Sequence, residues 1–164
     1  MEDNFKQKMQ EIANQKKEAQ DAMVDPKVLM DEMRVKSENN KGVFKSVKND
    51  SIYPIVQELN KIFKVAGDSF ILFDNEQATA LTDQIKTFCQ IFYYPKGRSK
   101  DKVGLSTPSL YFECLPELGE VKISQNISLR PSPRQLIEKL NIGEFNEDII
   151  EKYVSEFVSQ VTNN

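Results

Sequence analysis

Methionine and aromatic residues divide this chain into two parts. All five methionines lie within the first 33 residues, whereas fourteen of the fifteen aromatic residues lie at or beyond Phe44. Because aromatic side chains supply much of the buried area of a compact core, the core must come from the second part. Residues 37–42 are polar and end in a glycine, which is typical of a linker. The sequence therefore predicts a helical arm with its linker over residues 1–41 and a core domain over residues 42–164.

Apolar residues of the arm recur with the alternating four-three spacing of a coiled-coil seam. The seam consists of Phe5, Met9, Ile12, Ala19 and Met23, interrupted by Lys16. Asp25-Pro26 has the pattern of an N-cap followed by a first-turn proline, which predicts a second helix through Met30 and Met33. Since an isolated helix of about 20 residues is only marginally stable in water, the seam needs a covering surface. A second copy, another protein and the chain's own core domain are three candidates for that surface.

Periodicity in the core domain predicts a mixture of helices and strands. Apolar residues at helical spacing follow Ser51, a candidate N-cap, up to Phe63. A short buried strand is predicted over residues 69–73, a short helix or turn near 76–84, and a strand ending at Tyr94.

The clearest local pattern is an alternation of apolar and polar residues over 110–115 and 121–130 that predicts an antiparallel hairpin. Its second strand carries one polar face, a candidate recognition platform or a solvated surface, formed by Lys122, Ser124, Asn126, Ser128 and Arg130. A helix capped by Ser132 and carrying Leu140, and a last helix capped by Asn146, complete the pattern. The predicted fold is α+β: a helical arm, then one helix, a four-stranded mainly antiparallel sheet and two C-terminal helices.

Residue content restricts the available chemistry. The chain has no histidine, which excludes His-based acid–base catalysis and most zinc, copper and haem sites. Its two cysteines, Cys89 and Cys114, form no CxxC pair, and burial on their strands would make them inert. Neither a GxGxxG nor a P-loop motif occurs, and no motif assigns the chain to a family. We therefore expect no cofactor and no metal, and a non-enzymatic role, although a carboxylate enzyme using Asp68, Asp74 or Glu113 is a less favoured alternative.

Alternating basic residues distinguish the predicted loop 95–107. Lys96, Arg98, Lys100 and Lys102 follow the aromatic Tyr94, so the loop is a candidate nucleic-acid or phosphate-ligand site. The net charge of −3 argues against a domain devoted to nucleic acid. The favoured expectation is instead a protein-interaction or adaptor module that forms a homodimer or docks on a larger assembly.

The sequence also carries expectations about location. No window approaches the about 20 apolar residues of a membrane-spanning helix. The acidic and polar start, Met1-Glu2-Asp3-Asn4, has no apolar segment typical of a secretory signal. We expect an intracellular protein, with the cytoplasm as the default compartment.

Overall fold

The computed structural model describes residues 2–23, 25–98 and 107–163. The chain forms two compact units, Met1–Val35 and Lys36–Asn164. The α-helices within the described part are α1 (Glu2–Asp21), α2 (Pro26–Val47), α3 (Tyr53–Phe63), α4 (Leu81–Gln84) and α5 (Glu147–Thr162). The strands are β1 (Ser69–Asp74), β2 (Thr87–Tyr94), β3 (Ser109–Leu115), β4 (Glu120–Asn126) and β5 (Gln135–Asn141). The α+β class is confirmed.

The first unit is helical, and none of its described side chains is buried. Every side chain described between Asp3 and Val35 is exposed. The predicted pair of helices with a bend is confirmed, because α1 ends at Asp21 and α2 begins at Pro26. Asp25 caps α2 as expected: its Oδ1 accepts a hydrogen bond of 3.0 Å from the backbone N–H of Lys27.

Helix α2 continues through the polar stretch that was predicted to be a linker. Residues 37–42 are helical, and Gly42 lies inside the helix rather than in a turn. A glycine in this position costs about 0.5–1 kcal/mol relative to alanine. Two tertiary contacts nearby offset that cost, since Phe44 is buried and the Asn40 side chain donates a hydrogen bond of 2.8 Å to the carbonyl of Pro116.

A π-helical turn, Lys48–Ile52, joins α2 to α3 without a break. The prediction that Ser51 caps a new helix is wrong, because Ser51 lies within this turn. Phe44, Lys48, Ile52 and Val56 are all buried, at intervals of four residues. In a regular α-helix, residues four apart drift about 40° around the axis at each step. The wider turn reduces this drift and keeps the row facing the core.

The five strands form one antiparallel sheet in the order β1-β2-β3-β4-β5. The predicted strands near 69–73, up to Tyr94 and over the 110–130 hairpin are confirmed, although β4 ends at Asn126. The predicted helix after Ser132 is wrong: that segment contains β5, so the sheet has five strands, and a short 3₁₀ turn, Ile142–Glu144, and then α5 follow it. Pairing with β5 supplies partners for backbone groups on the outer edge of β4. In this register Leu140 lies opposite Val121 and is buried.

Helices α3 and α5 share one hydrophobic core with one face of the sheet. That core includes Val56 of α3, Phe112 and Ile123 of the sheet, and Phe157 of α5. Asn146 caps α5 as predicted, since its Oδ1 accepts a hydrogen bond of 3.1 Å from the backbone N–H of Ile149. On the opposite face of the sheet, a smaller cluster consists of Phe73, Ala78, Phe88 and Tyr111. We call this side the open face, because α3 and α5 pack on the other one.

Candidate functional site

The seven arm residues predicted to bind a partner are all exposed. They are Phe5, Met9, Ile12, Ala19, Met23, Met30 and Met33. The exposed fraction is 77% for Met23 and 50% for Ile12, which is high for apolar side chains of this size. We call these seven residues the arm stripe. Leu29 is also exposed and was not predicted to bind a partner, although its position four residues before Met33 puts these two side chains on the same helix face.

The polar face predicted for β4 is only partly solvated. Ser124 and Asn126 are buried, whereas Arg130 is exposed and lies beyond the end of the strand. The expectation of a continuous row of outward-facing polar residues is therefore wrong for these two positions. Hydrogen bonds to the following segment account for the burial of Asn126. Its Oδ1 accepts from the Ser132 hydroxyl at 2.8 Å and from the Ser128 N–H at 3.0 Å. The segment before β5 thus folds over the open face.

A cavity of about 460 Å³ lies on the open face beside Asn126. Residues from three strands and from the segment before β5 line it, including Gln90, Phe92, Ser109, Asn126, Ser132 and Arg134. We call it the sheet cavity. Gln90 is buried and donates a hydrogen bond of 2.8 Å from its Nε2 to the Ser109 hydroxyl. The volume is within the range of small-molecule sites, about 300–1,000 Å³.

Arg134 is held at the rim of the sheet cavity by an aromatic ring. Its guanidinium carbon lies 3.7 Å from the centroid of the Tyr111 ring, a cation–π contact. Tyr111 in turn stacks on Phe88, with 5.3 Å between ring centroids. Burial, followed by the charge of Glu113, raises the pKa of the Tyr111 hydroxyl to about 12, so this hydroxyl is neutral at physiological pH.

No sequence pattern predicts the sheet cavity. The only available signal is Gln90, a lone amide among apolar and aromatic residues of β2. Because both faces of that strand are rich in apolar residues, no alternation identifies the side on which the amide lies. Arg134 was assigned to a helix, which gives no reason to place it over Tyr111.

A second cavity, of about 450 Å³, lies at the end of β2, where the predicted basic loop begins. Tyr94 and Arg98 line it together with Lys64 and Asp68. Lys96 is not among the lining residues. Lys100 and Lys102 lie outside the described residues. The Tyr94 hydroxyl is buried and has no hydrogen-bond partner among the described residues. Its burial raises its pKa, and the charge of Arg98 acts in the opposite direction.

Both cysteines are buried free thiols, as their strand positions predicted. Burial raises the pKa of Cys89, with the Lys48 charge acting in the opposite direction. Burial likewise raises the pKa of Cys114, to about 11. Since the thiolate is the reactive form, both side chains are poor nucleophiles at neutral pH.

The three carboxylates considered for acid–base chemistry lie in different environments. Asp68 accepts hydrogen bonds of 3.0 Å from the Tyr93 hydroxyl and from the backbone N–H of Lys96. Asp74 forms a buried ion pair with Lys48, with 2.9 Å between Oδ2 and Nζ. Glu113 is on the open face, opposite Lys122 in the register of β3 and β4. Among the described residues, no three His, Cys, Asp or Glu side chains cluster in a way that could hold a metal ion.

Comparison with protein-family models, with curated proteins and with solved structures finds no match. Within the part of the chain that the structure describes, no helix is both long and apolar enough to cross a membrane.

Proposed function

We propose that this chain is a non-enzymatic protein-interaction module, an adaptor whose N-terminal helices bind another polypeptide. One observation carries the proposal: every described side chain between Asp3 and Val35 is exposed, including the whole arm stripe. Removing apolar surface from water contributes about 25 cal/mol per Å² to binding, against which the entropy cost of association counts. Helices that bury nothing of their own gain most from such a partner.

A second copy of this chain is the partner we propose first. The four-three spacing of the arm stripe in α1 is that of a coiled-coil seam, in which identical helices pack against one another. The charge of α1 permits self-association, because its four lysines and five acidic residues nearly balance. Lys16 at a central seam position lowers the stability of such a dimer and restricts its register. A different protein that docks on the same stripe is the alternative partner.

We also propose a reducing intracellular compartment, with the cytoplasm as the default. Cys89 and Cys114 are unpaired thiols, which is the usual state of cysteines in such compartments.

Replacing Ile12 by glutamate is expected to abolish self-association. The substitution places a charge in the centre of the seam, and the milder Ile12→Ala is expected to weaken association by about 2–5 kcal/mol, as core truncations do. Sedimentation velocity of the full chain over a wide concentration range measures the effect. The wild type is expected to reach the dimer mass and Ile12→Glu to remain at the monomer mass.

Gln7→Glu is the matched control, because Gln7 is exposed on α1 at a heptad position opposite the seam. This variant is expected to sediment like the wild type. A wild-type chain that stays monomeric at every concentration would contradict the homodimer. A dimer that survives in Ile12→Glu would show that another surface holds it together.

Phosphate-ligand or nucleic-acid binding at the end of β2 is a second candidate function. The observation that favours it is a cavity lined by the cationic Lys64 and Arg98 and by Tyr94, whose buried hydroxyl has no hydrogen-bond partner among the described residues. Binding of single-stranded oligonucleotides is then expected to weaken steeply with salt and to be lost when Lys96, Arg98, Lys100 and Lys102 are reversed to glutamate. Fluorescence anisotropy at several salt concentrations checks this, and binding insensitive to both salt and the reversal excludes the candidate.

A further inference from the structure

The sheet cavity is lined by an arginine that forms no ion pair with a carboxylate of the described residues. The ion pairs found among the described residues involve Arg34 and five lysines, and none involves Arg134. Of the described residues that line the cavity, Arg134 is the one with a formal charge. Its guanidinium carbon lies 3.7 Å from the centroid of the Tyr111 ring, a contact that favours this position of the exposed side chain. The described lining of the cavity therefore presents one positive charge to its contents.

A hydrogen-bond acceptor lies beside this charge. Gln90 is the register partner of Tyr111, and such opposed residues have Cβ atoms about 4.5–5.5 Å apart. The Nε2 of Gln90 donates its hydrogen bond to the Ser109 hydroxyl. No donor among the described residues reaches the side-chain carbonyl oxygen of Gln90. That oxygen belongs to a side chain that lines the cavity, and with no donor among the described residues it can accept a hydrogen bond from a ligand.

We propose that the sheet cavity binds a carboxylate that lies next to an amide N–H, the chemistry shared by an N-acylated amino acid and a peptide C-terminus. Arg134 donates to the carboxylate, and the Gln90 carbonyl accepts from the amide N–H. Phe92 and Pro133 supply apolar surface for the remainder of the ligand. This site does not depend on the arm stripe.

The charge of the site favours a carboxylate over a phosphate. A guanidinium matches the two oxygens of a carboxylate with parallel hydrogen bonds, which makes one arginine sufficient. A phosphate carries up to two negative charges, and its sites commonly add lysines or a helix N-terminus, neither of which lines this cavity among the described residues. The amide and hydroxyl groups around Arg134 are uncharged, so the single positive charge of Arg134 matches the single negative charge of a carboxylate.

Titration of the full chain with N-benzoylglycine and with its methyl ester tests the proposal. The two probes share the ring and the amide and differ in the carboxylate charge. Calorimetry is expected to show binding of the acid and about ten- to hundredfold weaker binding of the ester. In Arg134→Gln the affinity for the acid is expected to fall by the same factor, about ten- to hundredfold, so that the acid and the ester bind equally weakly. Amide NMR shifts are expected to move at Gln90, Ser109 and Arg134.

Arg34→Gln is the control, because it removes the same charge from an exposed residue that does not line the cavity. Arg134 is exposed, so its variant is expected to keep the wild-type circular dichroism spectrum. Equal affinity of acid and ester in the wild type, unchanged affinity in Arg134→Gln, or absence of binding at millimolar ligand would each overturn the proposal. Competition by inorganic phosphate at equal concentration would overturn it in favour of a phosphate site.

Two peptide probes distinguish the sources of the carboxylate. An N-acetylated tetrapeptide with a free C-terminus is expected to bind if protein tails are the ligand, and its C-terminal amide is expected not to bind. Binding of N-benzoylglycine without binding of either peptide supports a small-molecule ligand instead. Sedimentation of Arg134→Gln is expected to match the wild type, so failure of this proposal leaves the proposed dimer untouched.

Discussion

Replacing Lys48 by methionine is expected to lower the free energy of unfolding by about 3–5 kcal/mol. Lys48 and Asp74 form an ion pair of 2.9 Å, and their side chains are only 8% and 14% exposed. The substitution leaves the Asp74 carboxylate largely removed from water without its counter-charge. Asp74 cannot turn away easily, because its other oxygen accepts hydrogen bonds from the backbone N–H groups of Glu76 and Gln77. Urea denaturation followed by circular dichroism measures the loss.

The neighbouring pair of Lys45 and Glu76 provides the control. Its 3.2 Å ion pair has side chains that are 61% and 60% exposed, so Lys45→Met is expected to cost about 1 kcal/mol or less. A double variant, Lys48→Met with Asp74→Asn, is expected to recover much of the loss, because it no longer leaves a single charge buried. A Lys48→Met effect no larger than that of Lys45→Met would contradict the prediction.

Replacing Phe44 by alanine is expected to cost a similar amount, about 3–5 kcal/mol. Phe44 is 1% exposed, and its ring stacks on Phe145 with 5.4 Å between centroids and 10° between planes. Phe145 also contacts Phe112 of β3, at 5.7 Å. Removing the first ring opens a cavity between the end of α2 and the core. The shift in the urea midpoint at constant slope measures the effect.

Val43→Ala is the matched control for Phe44→Ala. Val43 precedes Phe44 on the same helix and is 45% exposed, so this truncation is expected to change stability by about 0.5 kcal/mol or less. Phe44→Leu is expected to lie between the two, since it keeps part of the buried volume. Similar midpoints for all three variants would contradict the packing of Phe44 described above.

The parts of the fold that the sequence predicted are those decided by short-range patterns. Alternating residues over 110–126 predicted the β3–β4 hairpin, and the caps Asp25 and Asn146 predicted two helix starts. Each of these signals lies within a few residues of the structure that it specifies. The burial of Cys89 and Cys114 followed from strand position in the same way.

The errors arose where a distant partner decides the structure. Leu136, Ile137 and Leu140 have helical spacing, yet pairing with β4 makes the segment a strand. The helix through residues 37–52 replaced a predicted linker and a predicted cap, because burial of Phe44, Lys48 and Ile52 outweighs local preferences. The sheet cavity was missed for the same reason. Gln90 and Arg134 are 44 positions apart in the chain and come together only after β5 has formed.

The π-helical turn at Lys48–Ile52 determines how this segment responds to changes in length. Each residue of an α-helix rotates the chain by about 100°. A deletion of one residue within the turn would restore regular α-helical geometry and rotate Phe44 by about that angle away from Phe145, with Ile52 and Val56 still in place. Substitutions at the exposed positions of the turn preserve the phase of the helix, whereas a deletion there separates the stacked rings. We therefore expect the fold to tolerate substitutions of the exposed residues between Phe44 and Val56 better than a change in the number of residues between them.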